Sequence, residues 1–470
     1  MSVQNPKTYF LLLAVLSAML LFNSLHRSGL AGYDDAFFAH QGKEMVLTGD
    51  WWNIHCNGHL AFEYPPLYIW LEATSFRLFG INDFAAKFPT ALCGLATILL
   101  VYFLTYELTG LIWLSLLAML VLMSTQFFLK NATHAMSDVP FTFLFTLTIF
   151  LYLRGLQKPV YLALLGLPLG LAMLTRSVVS FLAVGIIVAH LILTKRYKSL
   201  WSPWLALGLL LALAFPSAWY GSQVHLHGSE VLAAHFHFVN SKIHVESASS
   251  NWTSVFNYPI ALLKYYWPWL PFLLVGLALQ ARAVIVGKDS VATLLLVWVL
   301  LILIPFTLAQ TRYPRYIMAV FPAFSILSAI ALDRLIPEAR RDLFFKSGWA
   351  IGVLSVFLVL LFPPRTRAAD IRALAPIADA NSLPGQRLLI YTYENGRSDY
   401  QWQFLWYGHR YSDLATDLND LASRVDAKED TTVIVDKQSY EKLRHQVPSN
   451  IAQNWKILGE SENLLCFRSQ

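Results

Sequence analysis

The sequence predicts an α-helical polytopic membrane protein with a small C-terminal α/β domain. Three observations carry this expectation. Hydrophobic residues make up 56% of the 470-residue chain and charged residues only 14%, whereas a soluble domain carries about 25% charged residues. The apolar residues gather into about eleven runs, most of them approaching the ~20 residues that a helix needs to cross the hydrocarbon core. After Pro363-Pro364 that pattern gives way to short apolar segments alternating with amphipathic ones.

The runs lie at 9–25, 85–106, 111–129, 139–153, 160–174, 181–193, 203–220, 258–280, 291–308, 317–332 and 345–362. The first has no small-residue cleavage site before the acidic loop that follows, so it reads as an uncleaved span rather than a signal peptide. The loop 26–84 is more than a connector. In "AFFAHQGKEMVL", Phe37, Phe38, Gln41, Met45 and Val46 recur at helical spacing, which predicts a helix lying along the membrane interface. "EYPPLYIWLEATSFRLFG" starts a second short apolar helix at its Pro-Pro pair. Trp51, Trp52, Tyr68 and Trp70 are then expected at headgroup depth.

Orientation follows from the basic residues of the shortest loops. Arg154 with Lys158, Lys195 to Lys198, Arg282 with Lys288, and Arg334 to Arg341 fall on one side, which the positive-inside rule makes cytoplasmic. The acidic loop 26–84, the His-rich loop 221–257 and the tail are therefore expected outside. In the tail, "RLLIYTYE", "QFLWYGHRY", "TTVIVD", "WKILGES" and "NLLCFRS" read as strands, while "DLATDLNDLASRVD" and "KQSYEKLRHQ" read as helices. The expected division is a membrane domain at 1–362 and an extracytoplasmic α/β domain at 363–470.

Several function classes drop out. The net charge of +6 is scattered over short loops with no polybasic tract, so no nucleic-acid partner is expected. Cys56, Cys93 and Cys466 lack metal-type spacing and read as free thiols, with a Cys56–Cys466 pair as the alternative. The Asn131 and Asn251 sequons read as chance occurrences.

The adjacent carboxylates Asp34 and Asp35, just past the first span, are the first candidates for chemistry. Their bland reading is capping of the helix that follows. The fuller stretch "YDDAFFAHQGKEMVLTGDWW…NGHLAFEYPPLYIWLEATSFRLFGINDFAAKFPTALCG" resembles the first outer loop of the polyprenyl-phosphate-dependent GT-C glycosyltransferases. That superfamily includes the protein O-mannosyltransferases and the lipid A aminoarabinose transferases. Its pattern is an Asp-Glu pair after the first helix, where Asp35 here replaces the usual Glu, then Gly-Asp-Trp, Asn-Gly, an acid near Pro-Pro-Leu, and Phe-Gly before Ala-Ala-Arg-hydrophobic-Pro. "MSDVP", "GLAMLTRSV" and "QTRYPRYIMAVFPAFSIL" resemble later segments of the same superfamily. Two departures stand out: Tyr64 follows Glu63 where relatives carry Lys, and Arg176 follows Thr175 where they carry Lys.

The resemblance implies an inverting membrane glycosyltransferase that moves a sugar from a polyprenyl-phosphate donor to a hydroxyl of a lipid, glycan or protein. It implies Asp34 as the general base, Asp35 as its support and Asp138 as a second acidic partner. Arg312, Arg176 and Arg315 would hold the donor phosphate through forked hydrogen bonds, with Tyr316 as a neutral donor and Tyr64 beside them. Glu63, His55, His235 and His237 would face acceptor or sugar hydroxyls. No cofactor is required. His225, His227, His235, His237 and His244, with Glu230 and Glu246, could hold a divalent ion, but His-x-His pairs without a third ligand at fixed spacing favour sugar contacts over metal. The rival reading is a transporter or flippase of polyprenyl-linked sugars, which calls for mid-span charges and repeat symmetry. A third is a subunit that binds lipid-linked sugar without turning it over.

Overall fold

The computed structural model describes residues 6–469 apart from 24, 27–28, 31, 244–255, 288, 362–368, 393–398, 428–429 and 448–451. His244, Glu246 and the Asn251 sequon lie outside the described residues. The chain forms two compact units. One comprises Met1–Ser24, Phe62–Tyr68 and Phe88–Phe362; the other comprises Leu25–Ala61, Ile69–Lys87 and Pro363–Gln470. The second unit joins most of the 26–84 loop to the C-terminal residues, whereas sequence alone groups that loop with the spans.

The first unit is a bundle of apolar helices. Among the described residues, seven helical segments are long and apolar enough to cross a membrane, or eight if the bent pair Ile112–Ser124 and Gln126–Ala132 counts as one span. The sequence reading of about eleven runs differs for identifiable reasons. The helix Pro6–Phe22 is short for a span, and the two runs expected at 160–174 and 181–193 join into one segment, Val160–Leu193. That segment is interrupted at Ser177, whose φ of 36° ends the helix Gly166–Arg176. The run at 258–280 is broken between Asn257–Tyr265 and Leu270–Gly287. Glycine permits close backbone approach in the bundle: a Cβ on Gly166 would lie 2.1 Å from the Gly208 carbonyl oxygen. Small residues at such a crossing let two backbones meet where lipid gives no hydrophobic drive to pack.

The second unit contains two sheets. Strands β1 (His55–Cys56) and β2 (His59–Leu60) form a hairpin through Asn57-Gly58, both at positive φ, as the tightest hairpin turns require. Strands β3 (Leu388–Tyr391), β4 (Ser412–Leu414), β5 (Thr432–Asp436), β6 (Lys456–Glu460) and β7 (Leu464–Arg468) form a sheet in the order β4-β3-β5-β7-β6. β3 runs parallel to both β4 and β5, and β7 is antiparallel to its neighbours. Burial on both faces explains the continuous apolar runs of β3 and β5: Leu389, Val433 and Phe467 enter one core, and Ile390, Ile434 and Cys466 the other. Asp436 caps the helix Lys437–Gln446 by accepting from the Ser439 N–H at 2.8 Å.

Three local expectations are corrected. "QFLWYGHRY" is not a strand; its first residues complete the helix Asp399–Tyr407, because a short aromatic run carries no decisive period. The helix Gly32–Thr48 is not a surface amphipath. Residues 35–45 are buried without interruption, including His40, Gln41, Lys43 and Glu44, so it is a core helix. Tyr68 is buried at 1% exposure and shares a 2.9 Å hydrogen bond with Thr90, so its ring is packed inside the protein rather than presented to lipid. Cys56, Cys93 and Cys466 are free thiols.

Candidate active site

In the first unit, Asp138 opens the helix Asp138–Gln157 and is 2% exposed. A helix N-terminus favours a carboxylate there. Its Oδ1 lies 2.7 Å from Nη2 of Arg176, which sits in the last turn of Gly166–Arg176, where the dipole favours a cation. The Arg176 guanidinium lies over the Tyr316 ring, 5.9 Å from its centroid. Tyr316 is also within reach of the charges of Arg315 and Asp138. Arg315 stacks on the Tyr313 ring at 5.0 Å, and the Tyr313 and Tyr316 rings meet edge to face at 5.5 Å. Arg312 Nε donates to the Thr307 carbonyl at 2.8 Å, which holds its guanidinium plane. Sequence-separated residues thus form one cluster: an acid, two cations and a phenol. The arrangement is suited to an anion with several oxygens.

The segment Phe62–Tyr68 belongs to the same unit. Tyr64 packs its ring edge-on against Phe238 at 5.0 Å, and Phe62 lies against the His227 ring at 5.7 Å. His235 is 2% exposed, and its ring nitrogens lie 3.2 Å from the Tyr220 hydroxyl and 3.3 Å from the Phe62 carbonyl. Burial lowers its pKa, opposed by the Phe62 and Glu63 backbone and the Glu63 charge. Glu63, His225 and His237 are exposed. Among the described residues no group of three or more His, Cys, Asp or Glu side chains is placed to hold a metal ion. His235 instead fastens the Phe62–Glu63 segment to the helix Glu230–Ile243.

In the second unit, Asp34 and Asp35 occupy the first turn of Gly32–Thr48. Asp34 is partly exposed, whereas Asp35 is 1% exposed. The buried Lys87 ammonium feels the charge of Asp35 and donates to the Gly29 carbonyl. Only Asp34 of the pair is therefore presented to solvent. His55 does not stand alone: its Nε2 lies 3.1 Å from Asp50 Oδ2, and Asp50 also accepts from the backbone of Trp52 and Asn53. Burial alone would raise the Asp50 pKa, but donation from Asn53, His55 and Trp52 holds it well below the usual range. His55 thereby closes the Gly-Asp-Trp loop.

Sequence reasoning assigned no role to Lys87. The signal was present, since Ala85-Ala86-Lys87-Phe88-Pro89 fills the Ala-Ala-Arg-hydrophobic-Pro position of the resemblance. Composition could not show which acid this cation meets.

A family model described as dolichyl-phosphate-mannose-protein mannosyltransferase matches residues 63–220. An undecaprenyl phosphate-alpha-4-amino-4-deoxy-L-arabinose arabinosyl transferase of Aeromonas hydrophila subsp. hydrophila is 28% identical over 355 residues, 70% of this chain and 62% of that one. This chain therefore spans less than two thirds of that relative's length. Among solved structures, ArnT from Cupriavidus metallidurans is similar in its apo state with a TM-score of 0.78, at 18% identity and 98% coverage of both chains. Its undecaprenyl phosphate-bound structure gives a TM-score of 0.76 at 17% identity and the same coverage. Taken with the first-loop pattern, these matches make the chain similar to membrane glycosyltransferases of the GT-C type, among them the protein O-mannosyltransferases and the aminoarabinose transferases, and the solved structures show that it shares the ArnT fold.

Proposed function

We propose that the protein transfers a sugar from a polyprenyl phosphate to a hydroxyl of a lipid, glycan or protein acceptor, on the outer face of the cytoplasmic membrane. The observation that carries this reading is the convergence of Asp138, Arg176 and Arg315 on Tyr316 at the ends of apolar helices. The similarity to a fold solved with undecaprenyl phosphate supports the donor class. The basic loading of the shortest loops supports the sidedness.

In this reaction the acceptor oxygen attacks the anomeric carbon as Asp34 takes its proton. The bond from that carbon to the phosphate oxygen breaks, and the electron pair leaves with the lipid phosphate. That leaving group is already anionic, so cations rather than a general acid stabilise it. Arg315 and Arg312 supply the positive charge, with Tyr316 as a neutral donor. Arg176 is shared: it neutralises Asp138 and adds to the same positive field. The Asp35 charge is met by the buried Lys87, and Asp34 is the acid of the pair with solvent access. Tyr64 places an aromatic face where relatives carry a Lys, which suits the flat apolar side of a sugar ring. Exposed Glu63 and His237 are available to acceptor hydroxyls.

A transporter would place its charges in mid-span; Asp138 instead stands at the start of its helix. The test is purified protein in lipid nanodiscs with a panel of radiolabelled undecaprenyl-phosphate sugars, scored for released undecaprenyl phosphate. Release with at least one donor, abolished by Asp34→Asn, is expected. Movement of the lipid-linked sugar between leaflets of a proteoliposome with no phosphate release would establish the transporter instead.

A further inference from the structure

The helix Gly32–Thr48 is gripped along its length by one helix from the other end of the chain, Asp399–Tyr407. Ahead of the acids, the Leu30 N–H donates to the Tyr407 hydroxyl at 2.8 Å, and Gln403 Nε2 donates to the Leu30 carbonyl at 3.0 Å. Beside them, the Trp402 ring meets Tyr33 at 5.4 Å and Phe37 at 4.8 Å, both edge-on. Further along, Lys43 is 6% exposed, and its Nζ donates to the carbonyls of Leu405, Trp406 and Gly408 at 3.1, 2.9 and 2.5 Å.

Those carbonyls close a helix C-terminus, which has no intrahelical donors for them and a dipole that attracts a cation. A protonated ammonium has three N–H donors, and all three are used here. Asn57 adds a two-way bond to Ser412, at 2.7 Å from its Nδ2 and 3.0 Å to its Oδ1.

We propose that the C-terminal α/β domain is a brace for the acid-bearing helix, with Lys43 as the positioning residue for Asp34. The proposal rests on Asp34 being the base. Lys43 lies about 14 Å along the helix from Asp34 at ~1.5 Å per residue. A tilt of about 5° at the Lys43 end therefore moves the carboxylate by about 1 Å, and a misplacement of that size can cost on the order of a hundredfold in rate.

The experiment uses the full-length protein in nanodiscs. Lys43→Met keeps the length and apolar bulk of the side chain while removing the donors. Hydrogen exchange is followed at the amides of residues 33–38, and kcat and KM are measured with whichever undecaprenyl-phosphate sugar the wild type turns over. Lys43→Met is expected to speed exchange at 33–38 about tenfold, with β3 and β5 still protected. It should lower kcat at least about tenfold with donor KM nearly unchanged, and Lys43→Arg should restore part of both. Gln403→Leu, at the other grip, should act in the same direction and serves if Lys43→Met does not fold. Unchanged exchange and kcat in both variants would overturn the brace, as would uniform loosening of the unit with kcat and KM moving together. Asp34→Asn run alongside separates the two ideas: normal turnover there removes the base, while exchange at 33–38 still reports on the brace.

Discussion

Two buried carboxylates, one in each unit, are each matched to a cation in different ways. Asp138 pairs with Arg176, whose side chain is 19% exposed and stacks on Tyr316. Asp35 faces Lys87, and both are 1% exposed. The first pair has a planar cation with solvent access, able to rearrange its donors when another anion arrives. The second is sealed, and its cation is already committed to the Gly29 carbonyl. A sealed pair holds a shape; an accessible pair can take part in chemistry. Asp34, next to the sealed pair but partly exposed, has the access a proton acceptor needs.

The comparison breaks most sharply at Lys87. Lys87→Met leaves Asp35 buried without its cation and should destabilise the second unit by about 3–5 kcal/mol. Adding Asp35→Asn should recover much of that loss. Both are read from denaturation of the detergent-solubilised protein, and a silent Lys87→Met would mean that water reaches Asp35. Next comes Asp34→Asn, which should fold and bind donor lipid yet lose at least about a hundredfold in transfer. Asp35→Asn should lose less turnover than Asp34→Asn; the reverse order would make Asp34 a helix cap and move the base elsewhere.

Arg176→Met should be milder than Lys87→Met, because water can replace the guanidinium at its exposed edge. A charged hydrogen bond is worth about 1.5–3 kcal/mol, and the loss should appear as weaker binding of undecaprenyl phosphate more than as unfolding. Arg312→Ala should weaken the same binding within that range. If Arg176→Met destabilises as much as Lys87→Met, the two pairs are equally sealed and the contrast fails.

The last prediction concerns pH and the buried His40. Burial, reinforced by the Lys43 charge and opposed by the Leu405 carbonyl, pushes the His40 pKa down to about 3. Its Nε2 accepts from the Asn57 N–H at 3.1 Å, which requires the neutral ring. The unfolded chain binds this proton near the ordinary pKa of 6.5 while the folded one resists it down to about 3. The stabilisation is therefore complete above pH 6.5 and is lost progressively as pH falls toward 3. Each unit costs about 1.4 kcal/mol. His40→Gln should flatten that acid limb in a thermal-unfolding series; an unchanged limb would assign it to another group.

How much of this was legible beforehand varied with the kind of signal. "TTVIVD" and "KQSYEKLRHQ" announced their structures because a β-branched apolar run and helical spacing both survive in short windows, and the structure sets their boundary at Asp436. The hairpin at Asn57-Gly58 went unread, although few residue pairs accept positive φ at both positions. "QFLWYGHRY" and the burial of Gly32–Thr48 were not legible. Aromatic runs fit either period, and a helix that carries His40, Gln41, Lys43 and Glu44 does not say which distant element covers them.

The sequence by itself determined the class of protein, the acids and basic residues available for chemistry, and the first-loop pattern in which the chain resembles the GT-C glycosyltransferases. Those are written in composition and in local spacing, which need no third dimension. Tertiary structure alone decided that Arg176 answers Asp138, that Lys87 answers Asp35, and that Lys43 closes a helix more than 350 residues away. Each of those depends on which buried charge meets which partner, and burial is a property of the packed chain rather than of any segment in it.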